Sequence, residues 1–203
     1  MKSITWLSLA LLICTGCSTS KTIPSQWMSN EFKKQQFDRM LVFANTEDRE
    51  LQNRFEDKMA LLLAAEGIAP LKMHELFPEI EHKEDHTQED INAFVLQCKN
   101  KGIDKVLLAS QKEMIVDTVL AKSLHNYMNS LEPLKLNSRN EDDLVYEKKE
   151  ITTYTLEAAV YDIAVTSEDK PIAATILKAI NPKSFEKLEN TFLNAIKKLF
   201  KSR

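Results

Sequence analysis

Glycine is almost missing from this chain of 203 residues: there are three, at positions 16, 67 and 102. No glycine-rich loop can therefore wrap a phosphate, and neither the dinucleotide nor the P-loop fingerprint occurs. Cysteine is equally scarce, at Cys14, Cys17 and Cys98, so a disulfide framework is excluded. After residue 13 there is no apolar run approaching the roughly 20 residues of a bilayer-crossing helix. Lys and Arg number 27 against 30 Asp and Glu, and that balance gives no broad electrostatic case for nucleic acid or an anionic surface. Internal repeats and low-complexity tracts are absent too.

What is present begins with the amino terminus. Lys2 precedes an apolar run from Ile4 to Ile13, followed by Thr15, Gly16, Cys17 and the polar stretch Ser18-Thr19-Ser20-Lys21. A basic start, a short apolar segment and small residues make a secretory signal peptide, which has no part in the fold. Cys14-x-x-Cys17 has redox-pair spacing, but the pair straddles the expected cleavage site.

The "small residue, then Cys" box resembles that of bacterial lipoprotein precursors. The resemblance implies cleavage after Gly16, a diacylglycerol on the Cys17 sulfur, and acylation, palmitate among the chains, of the new amino terminus. Ile13 is too bulky for Cys14 to take that role. Several acyl chains anchor strongly where one holds only marginally. Ser18 lacks the acidic character of an inner-membrane retention signal, so outer-membrane residence, with the domain facing the periplasm, is expected.

Cleavage removes one charged residue, Lys2, and leaves a net charge of -4. Three regions are expected: residues 1–16 as signal peptide, 17–36 as lipidated amino terminus and tether, and 37–203 as one periplasmic domain. Pro24 and mixed polar residues suggest the tether, with Trp27, Met28, Phe32 and Phe37 docking its later part.

Hydrophobic patterning sets the expected elements. Arg39 to Ala44 reads as a short buried strand, bounded by the turn Asn45-Thr46-Glu47-Asp48-Arg49. Leu51, Phe55, Met59 and Leu62 recur at helical spacing, and Gly67 supplies a stop. Ile68 to Met73 is a second strand. Thr87 with Asp90 signals a helix start, Ile91, Phe94, Val95 and Cys98 give its buried side, and Gly102 ends it. Lys105 to Ser110 is a third strand. Gln111 to Met128 fits either a strand extension or helical turns, and Asn129 to Asp143 is a polar excursion. Tyr154, Leu156, Ala158 and Val160 alternate in a long strand, Ser167 to Lys170 turns, and Pro171 opens the returning strand. Asn181 as cap and Pro182 at the first helical position begin a final helix, whose stripe is Phe185, Leu188, Phe192, Ile196 and Leu199. The expected class is α/β: a mixed β-sheet with packed helices, a βαβαβ start, then an antiparallel hairpin and a C-terminal helix.

"MLVFANTEDRELQNRFEDKMALLLAAEG", "GIDKVLLAS", "YTLEAAVYDIA" and "NPKSFEKLENTFLNAIKKLF" together resemble small Gram-negative, Bacteroidetes-like lipoproteins of unassigned function. Their domain is similar to the α/β part of curli-secretion-type and penicillin-binding-protein-activator lipoproteins, and to the amino-terminal domain of the Tol-associated periplasmic propeller protein. The resemblance spans about residues 38 to 200 and follows the order of elements.

No catalytic constellation emerges. His74, His82 and His86 lie among Glu79, Glu81, Glu84 and Asp85, yet Lys83 interrupts any zinc-peptidase order, and no metal or cofactor is expected. The turn Asn45, Thr46, Glu47, Asp48 and Arg49 sits at the carboxyl end of a parallel strand, the usual ligand side. It is the leading contact candidate, although helix capping by Asn45 or Thr46 accounts for the same residues. Tyr127, in the excursion, is a second candidate anchor for a partner. Cys98 is expected to be a quiet thiol, on the helix surface or half-buried.

The expected function is that of a non-enzymatic lipoprotein whose domain binds an envelope protein in assembly, secretion or maintenance. Alternatives are a small-ligand or hydrolytic enzyme using residues 45–49, and an oligomeric subunit of a secretion complex. Membrane lipid, an envelope protein and further copies of the chain are the expected partners; nucleic acid is not.

Overall fold

The computed structural model describes residues 20–80, 87–122, 146–164 and 170–201. One six-stranded mixed sheet organises them. The strands are β1 (Lys21–Met28), β2 (Arg39–Asn45), β3 (Ala69–Lys72), β4 (Lys105–Lys122), β5 (Tyr146–Asp162) and β6 (Ala173–Ile180), in the order β1-β6-β5-β4-β2-β3. β3, β2 and β4 run parallel; β5, β6 and β1 continue antiparallel. The α/β class, with its βαβαβ start, antiparallel hairpin and C-terminal helix, is the architecture observed.

One face of the sheet carries the main core. Helix α1 (Asn30–Lys34), helix α2 (Arg49–Ala65) and the C-terminal helix, called α5 below (Phe185–Lys201), cover it. Met40 and Val42 of β2, Ala158 and Val160 of β5, and Leu177 and Ala179 of β6 meet Phe55, Met59, Leu63, Phe192, Ile196 and Leu199 there. Period-two burial on the strands matches the helical stripe of α5, and each fully buried Leu or Phe contributes about 1.5–3 kcal/mol. Phe32, Phe37 and Phe200 close one end, with ring centroids 5.1, 5.8 and 6.3 Å apart. The opposite face is covered over β2, β3 and the start of β4 by α3 (Met73–Leu76) and α4 (Gln88–Asn100), through Leu41, Met73, Phe77, Cys98 and Val106.

Local signals explain most boundaries. Thr87 and Asp90 form a reciprocal capping box at α4, which satisfies two orphan amides. Gly67 and Gly102 take φ of +80° and +66° after α2 and α4, the left-handed turn that a side chain disfavours.

Three expectations change, and a fourth segment left open between strand and helix resolves as strand. Residues 21–36 are not a tether: Lys21–Met28 pairs with β6 along eight residues, and Ser29 caps α1 by accepting from the Phe32 amide. Pro24 misleads because an edge strand tolerates a missing donor that a central strand does not. The second strand is only Ala69–Lys72, since Met73 opens α3. Asn181 does not cap α5 and Pro182 is not its first residue. The helix starts at Phe185, with Ser184 Oγ accepting from the Lys187 amide, while Asn181 takes φ of +48° and donates its amide to Thr152 O. Finally, Gln111 onward extends β4 as strand to Lys122. The excursion beyond, and the turn at 165–169, lie outside the described residues.

β4 and β5 outgrow the sheet. β2 pairs with β4 only as far as Ser110, and β6 pairs with β5 only from Thr153 to Val160. From Val116 to Lys122, β4 has β5 alone beside it. This two-stranded ribbon begins just past a bulge between Gln111 and Glu113, a device that bends and twists a strand pair.

A buried ion pair ties β4 to β5. Lys105 Nζ lies 3.0 Å from Asp162 Oδ1, and Gln35 Nε2 donates to Oδ2 at 3.1 Å. Burial alone would push the Asp162 carboxyl up, but the hydrogen bonds from Gln35 and Lys105 outweigh it and hold the pKa below the ordinary aspartate value. A carboxyl with a depressed folded pKa stabilises above its unfolded pKa, about 3.9, and the contribution is lost as pH falls through the folded value. Lys105→Met is therefore expected to destabilise strongly at pH 7, where it strands a buried carboxylate, and far less at a pH below the folded value of Asp162, where the carboxyl is protonated. Urea unfolding of both proteins at the two pH values measures the difference; an equal loss at both would contradict the pairing.

Candidate functional site

The turn after β2 is built for capping. Asp48, rather than Asn45 or Thr46, is the N-cap of α2, its Oδ1 accepting from the Leu51 amide at 3.0 Å. Thr46 Oγ1 accepts from the Asp48 amide at 3.3 Å. Arg49 reaches away and donates to Pro78 O at 3.5 Å. Asn45 is the last residue of β2, paired with Ser110 of β4, and Glu47 is exposed. The five residues are neighbours in chain and space, and the contacts of Thr46, Asp48 and Arg49 run to the turn, the helix start and Pro78.

Beneath that turn lies a polar centre that sequence reasoning missed. Glu56 of α2 is fully buried. Its Oε1 accepts from the Ala44 amide at 3.0 Å and Gln52 Nε2 at 3.1 Å; its Oε2 accepts from the His74 amide at 3.0 Å and faces His74 Nδ1 at 2.6 Å. A carboxylate only accepts, so Nδ1 carries the proton in this contact. One side chain thereby binds the end of β2, its own helix and α3. The available signal was a glutamate next to Phe55 and three residues before Met59, on the apolar side of an amphipathic helix.

At the rim of this centre, the ligand-capable atoms of Asp57, His74 and Glu75 lie within 4.8 Å of one another. A cation already sits among them: Lys72 Nζ is 2.8 Å from Asp57 Oδ1 and also contacts Glu75 Oε1. Hydrogen bonds to Asp57, and next to Glu75, raise the Lys72 pKa. The group is a surface ion-pair cluster complete within the chain. His82 and His86, with Glu81, Glu84 and Asp85, lie outside the described residues.

Cys98 is fully buried against Leu41 and Phe77, not half-buried. Burial, partly countered by Lys101, pushes its thiol up to about 12. At neutral pH it is neither a thiolate nor accessible, so it cannot serve as nucleophile or ligand.

Exposed apolar surface lies beside a hollow at the root of the ribbon. Met114 pairs with Tyr154 and Val116 with Thr152, so both stand on the α5 side. Tyr154 and Thr152 in turn line a hollow of about 170 Å³ with Asn181, Pro182, Ser184, Phe185 and Leu188. Met114, Val116 and Phe185 are each 53% exposed. Small-molecule sites usually offer about 300–1,000 Å³. This hollow is far smaller, sized for one side chain, and the exposed apolar side chains of Met114, Val116 and Phe185 suit a protein surface. The left-handed turn at Asn181 and the late start of α5 create it; neither was legible in the sequence.

Tyr127 and Cys17 lie outside the described residues. Among those described, no helix is long and apolar enough to cross a membrane.

No family model and no curated protein matches the chain. Among solved structures, it is similar to a single-substitution variant of the PelC dodecamer from Paraburkholderia phytofirmans, at 9% identity and TM-score 0.46, covering 87% of this chain and 96% of that one. It is also similar to the lipoprotein GNA1162 from Neisseria meningitidis, at 16% identity and TM-score 0.39, covering 81% and 99%. A minor lipoprotein from Acinetobacter baumannii matches at 9% identity and TM-score 0.27, covering 82% and 88%. All three are distant likenesses and transfer no role.

Proposed function

We propose that this chain is a lipoprotein anchored at the outer membrane through acylated Cys17, with a non-enzymatic periplasmic domain that binds another envelope protein in assembly, secretion or maintenance. The exposed apolar root of the β4–β5 ribbon carries the reading. Met114 and Val116 stand exposed across the ribbon from Tyr154 and Thr152, which together with exposed Phe185 line a hollow fit for a single partner side chain, while the polar groups beneath the 45–49 turn are consumed by the fold itself.

A second occupant is favoured by a separate observation. Past Val116 and Thr152 each ribbon strand has one edge without a neighbour among the described strands. Edges of this kind pair readily with another strand, including one from a second copy. The domain is then a subunit of an oligomer as well as a partner module.

One experiment addresses both. A photo-crosslinking amino acid at Val116, activated in envelopes of the native host, is expected to yield a discrete adduct identifiable by mass spectrometry. A heteromeric mass supports the partner, and twice the chain mass supports the oligomer. Recovery of monomer alone would contradict both. The anchor has its own test: Cys17→Ser is expected to abolish acyl labelling and release the protein from membranes, whereas Cys14→Ser does neither.

A further inference from the structure

The sheet face opposite α5 is only half covered. α3 and α4 pack over β2, β3 and the start of β4, and among the described residues no helix packs over β6 and β1. Period-two alternation puts Lys21, Ile23, Ser25 and Trp27 of β1 on this face. Their register partners Ile180, Lys178, Ile176 and Ala174 of β6 share it, while Ala173, Thr175, Leu177 and Ala179 point into the core. Trp27 is 53% exposed, Ile23 43% and Ile176 40%. A tryptophan and two isoleucines therefore stand in the open, with Lys21 and Lys178 exposed among them.

Chain length identifies what covers them. Because residues 21–28 are a strand of the sheet rather than a tether, only Ser18, Thr19 and Ser20 separate Cys17 from Lys21. Fully extended, that connection reaches at most about 14 Å. A domain held on so short a leash by a lipidated residue cannot float clear of the bilayer, and β1 is the element held nearest. Tryptophan is the side chain most at home at the headgroup level, where an apolar body and a polar N–H are both satisfied. Lysines beside it meet anionic headgroups, and their stems lie along the apolar surface.

We infer that the open β1–β6 face, through Trp27, Ile23 and Ile176 flanked by Lys21 and Lys178, docks on the lipid headgroup interface. This rests on the proposed acylation of Cys17. Docked this way, the domain is oriented rather than merely tethered. Lipid takes the open face, and the root of the ribbon, on the α5 side of the sheet, points away from it.

The full chain supplies its own probe. Its tryptophans are Trp6 and Trp27, and Trp6 leaves with the signal peptide, so tryptophan emission from the mature protein, excited selectively over its tyrosines, comes from Trp27 alone. The acylated protein, purified from membranes, is reconstituted into phosphatidylethanolamine–phosphatidylglycerol vesicles with or without brominated acyl chains. Mass spectrometry confirms the acyl chains in the same sample. The expected result is loss of Trp27 emission in brominated vesicles, protection from aqueous iodide, and a smaller loss after Lys21→Glu with Lys178→Glu.

Acylated protein whose Trp27 emission is unchanged by bromine and open to iodide would overturn the docked face and leave the anchor standing. Protection from iodide without bromine quenching would mean that protein covers the face, and would overturn the inference equally. A mature chain with no acyl group on Cys17 would defeat the anchor, and the inference with it.

Discussion

A Glu56→Ala variant is expected to lose about 3–5 kcal/mol of folding stability, the range for removing one partner from a buried charged network. The reason is specific. The carboxylate accepts from the amides of Ala44 and His74, from Gln52 Nε2 and from His74 Nδ1, and alanine leaves these donors without acceptors in a closed interior. Each orphaned buried donor costs about 1–3 kcal/mol. For a domain of this size the loss corresponds to roughly 6–20 °C in melting temperature. Glu56→Gln discriminates between charge and shape. Its oxygen can serve Ala44 and Gln52, but its amide nitrogen then faces the His74 amide donor to donor, so an intermediate loss is expected. Urea denaturation of the three proteins measures this, and a loss below about 1 kcal/mol for the alanine variant would contradict the network.

The second large effect concerns binding, not stability. Met114→Lys with Val116→Lys should remove partner capture while leaving the fold intact. Both side chains are half in solvent, and their cross-strand partners Tyr154 and Thr152 carry no positive charge, so no like-charge pair is created across the ribbon. Surface changes of this sort usually alter stability by no more than about 0.5 kcal/mol. At the centre of an interface the same changes place two ammonium groups in an apolar contact. Truncating a single hot-spot side chain costs about 2 kcal/mol or more, and 2 kcal/mol is roughly a thirtyfold loss of affinity. Unchanged melting with lost capture assigns the ribbon root to recognition; reduced melting would assign it to the fold.

How far these features could be read from the sequence follows from the range of the forces that set them. β2, α2, α4, the early part of β4 and β5 declare themselves because periodic burial and local caps are written in neighbouring residues, as in Thr87 with Asp90. β1 does not. Its eight residues gain their place only through β6, about 150 positions later, and Pro24 with Ser25 and Gln26 looks like linker until that edge is known. The same holds for Glu56, whose partners Ala44 and His74 come from elements before and after its helix. At the end of β6, Asn181 and Pro182 offered a plausible cap, yet the chain uses Asn181 for a left-handed turn and lets Ser184 start the helix. That displacement opens the hollow, so the best candidate contact surface depended on a local detail of the chain between β6 and α5. Of the residues singled out in advance, Asp48 proved to be the capping group, Thr46 accepts from the Asp48 amide in the turn before it, and Arg49 donates to Pro78 O.

The proposed partner surface and the inferred lipid face lie on opposite sides of one sheet. The α5 side offers the ribbon root, and the opposite side offers β1 with Trp27. The reading of a partner-binding envelope protein stands or falls on the first. Its most direct test is the mass of the protein's complex in native envelopes gently solubilised in detergent, compared between the wild-type chain and the Met114→Lys, Val116→Lys variant. The account predicts a species well above monomer mass for the wild type and a monomer for the variant. The same mass in both, whether large or monomeric, would contradict it.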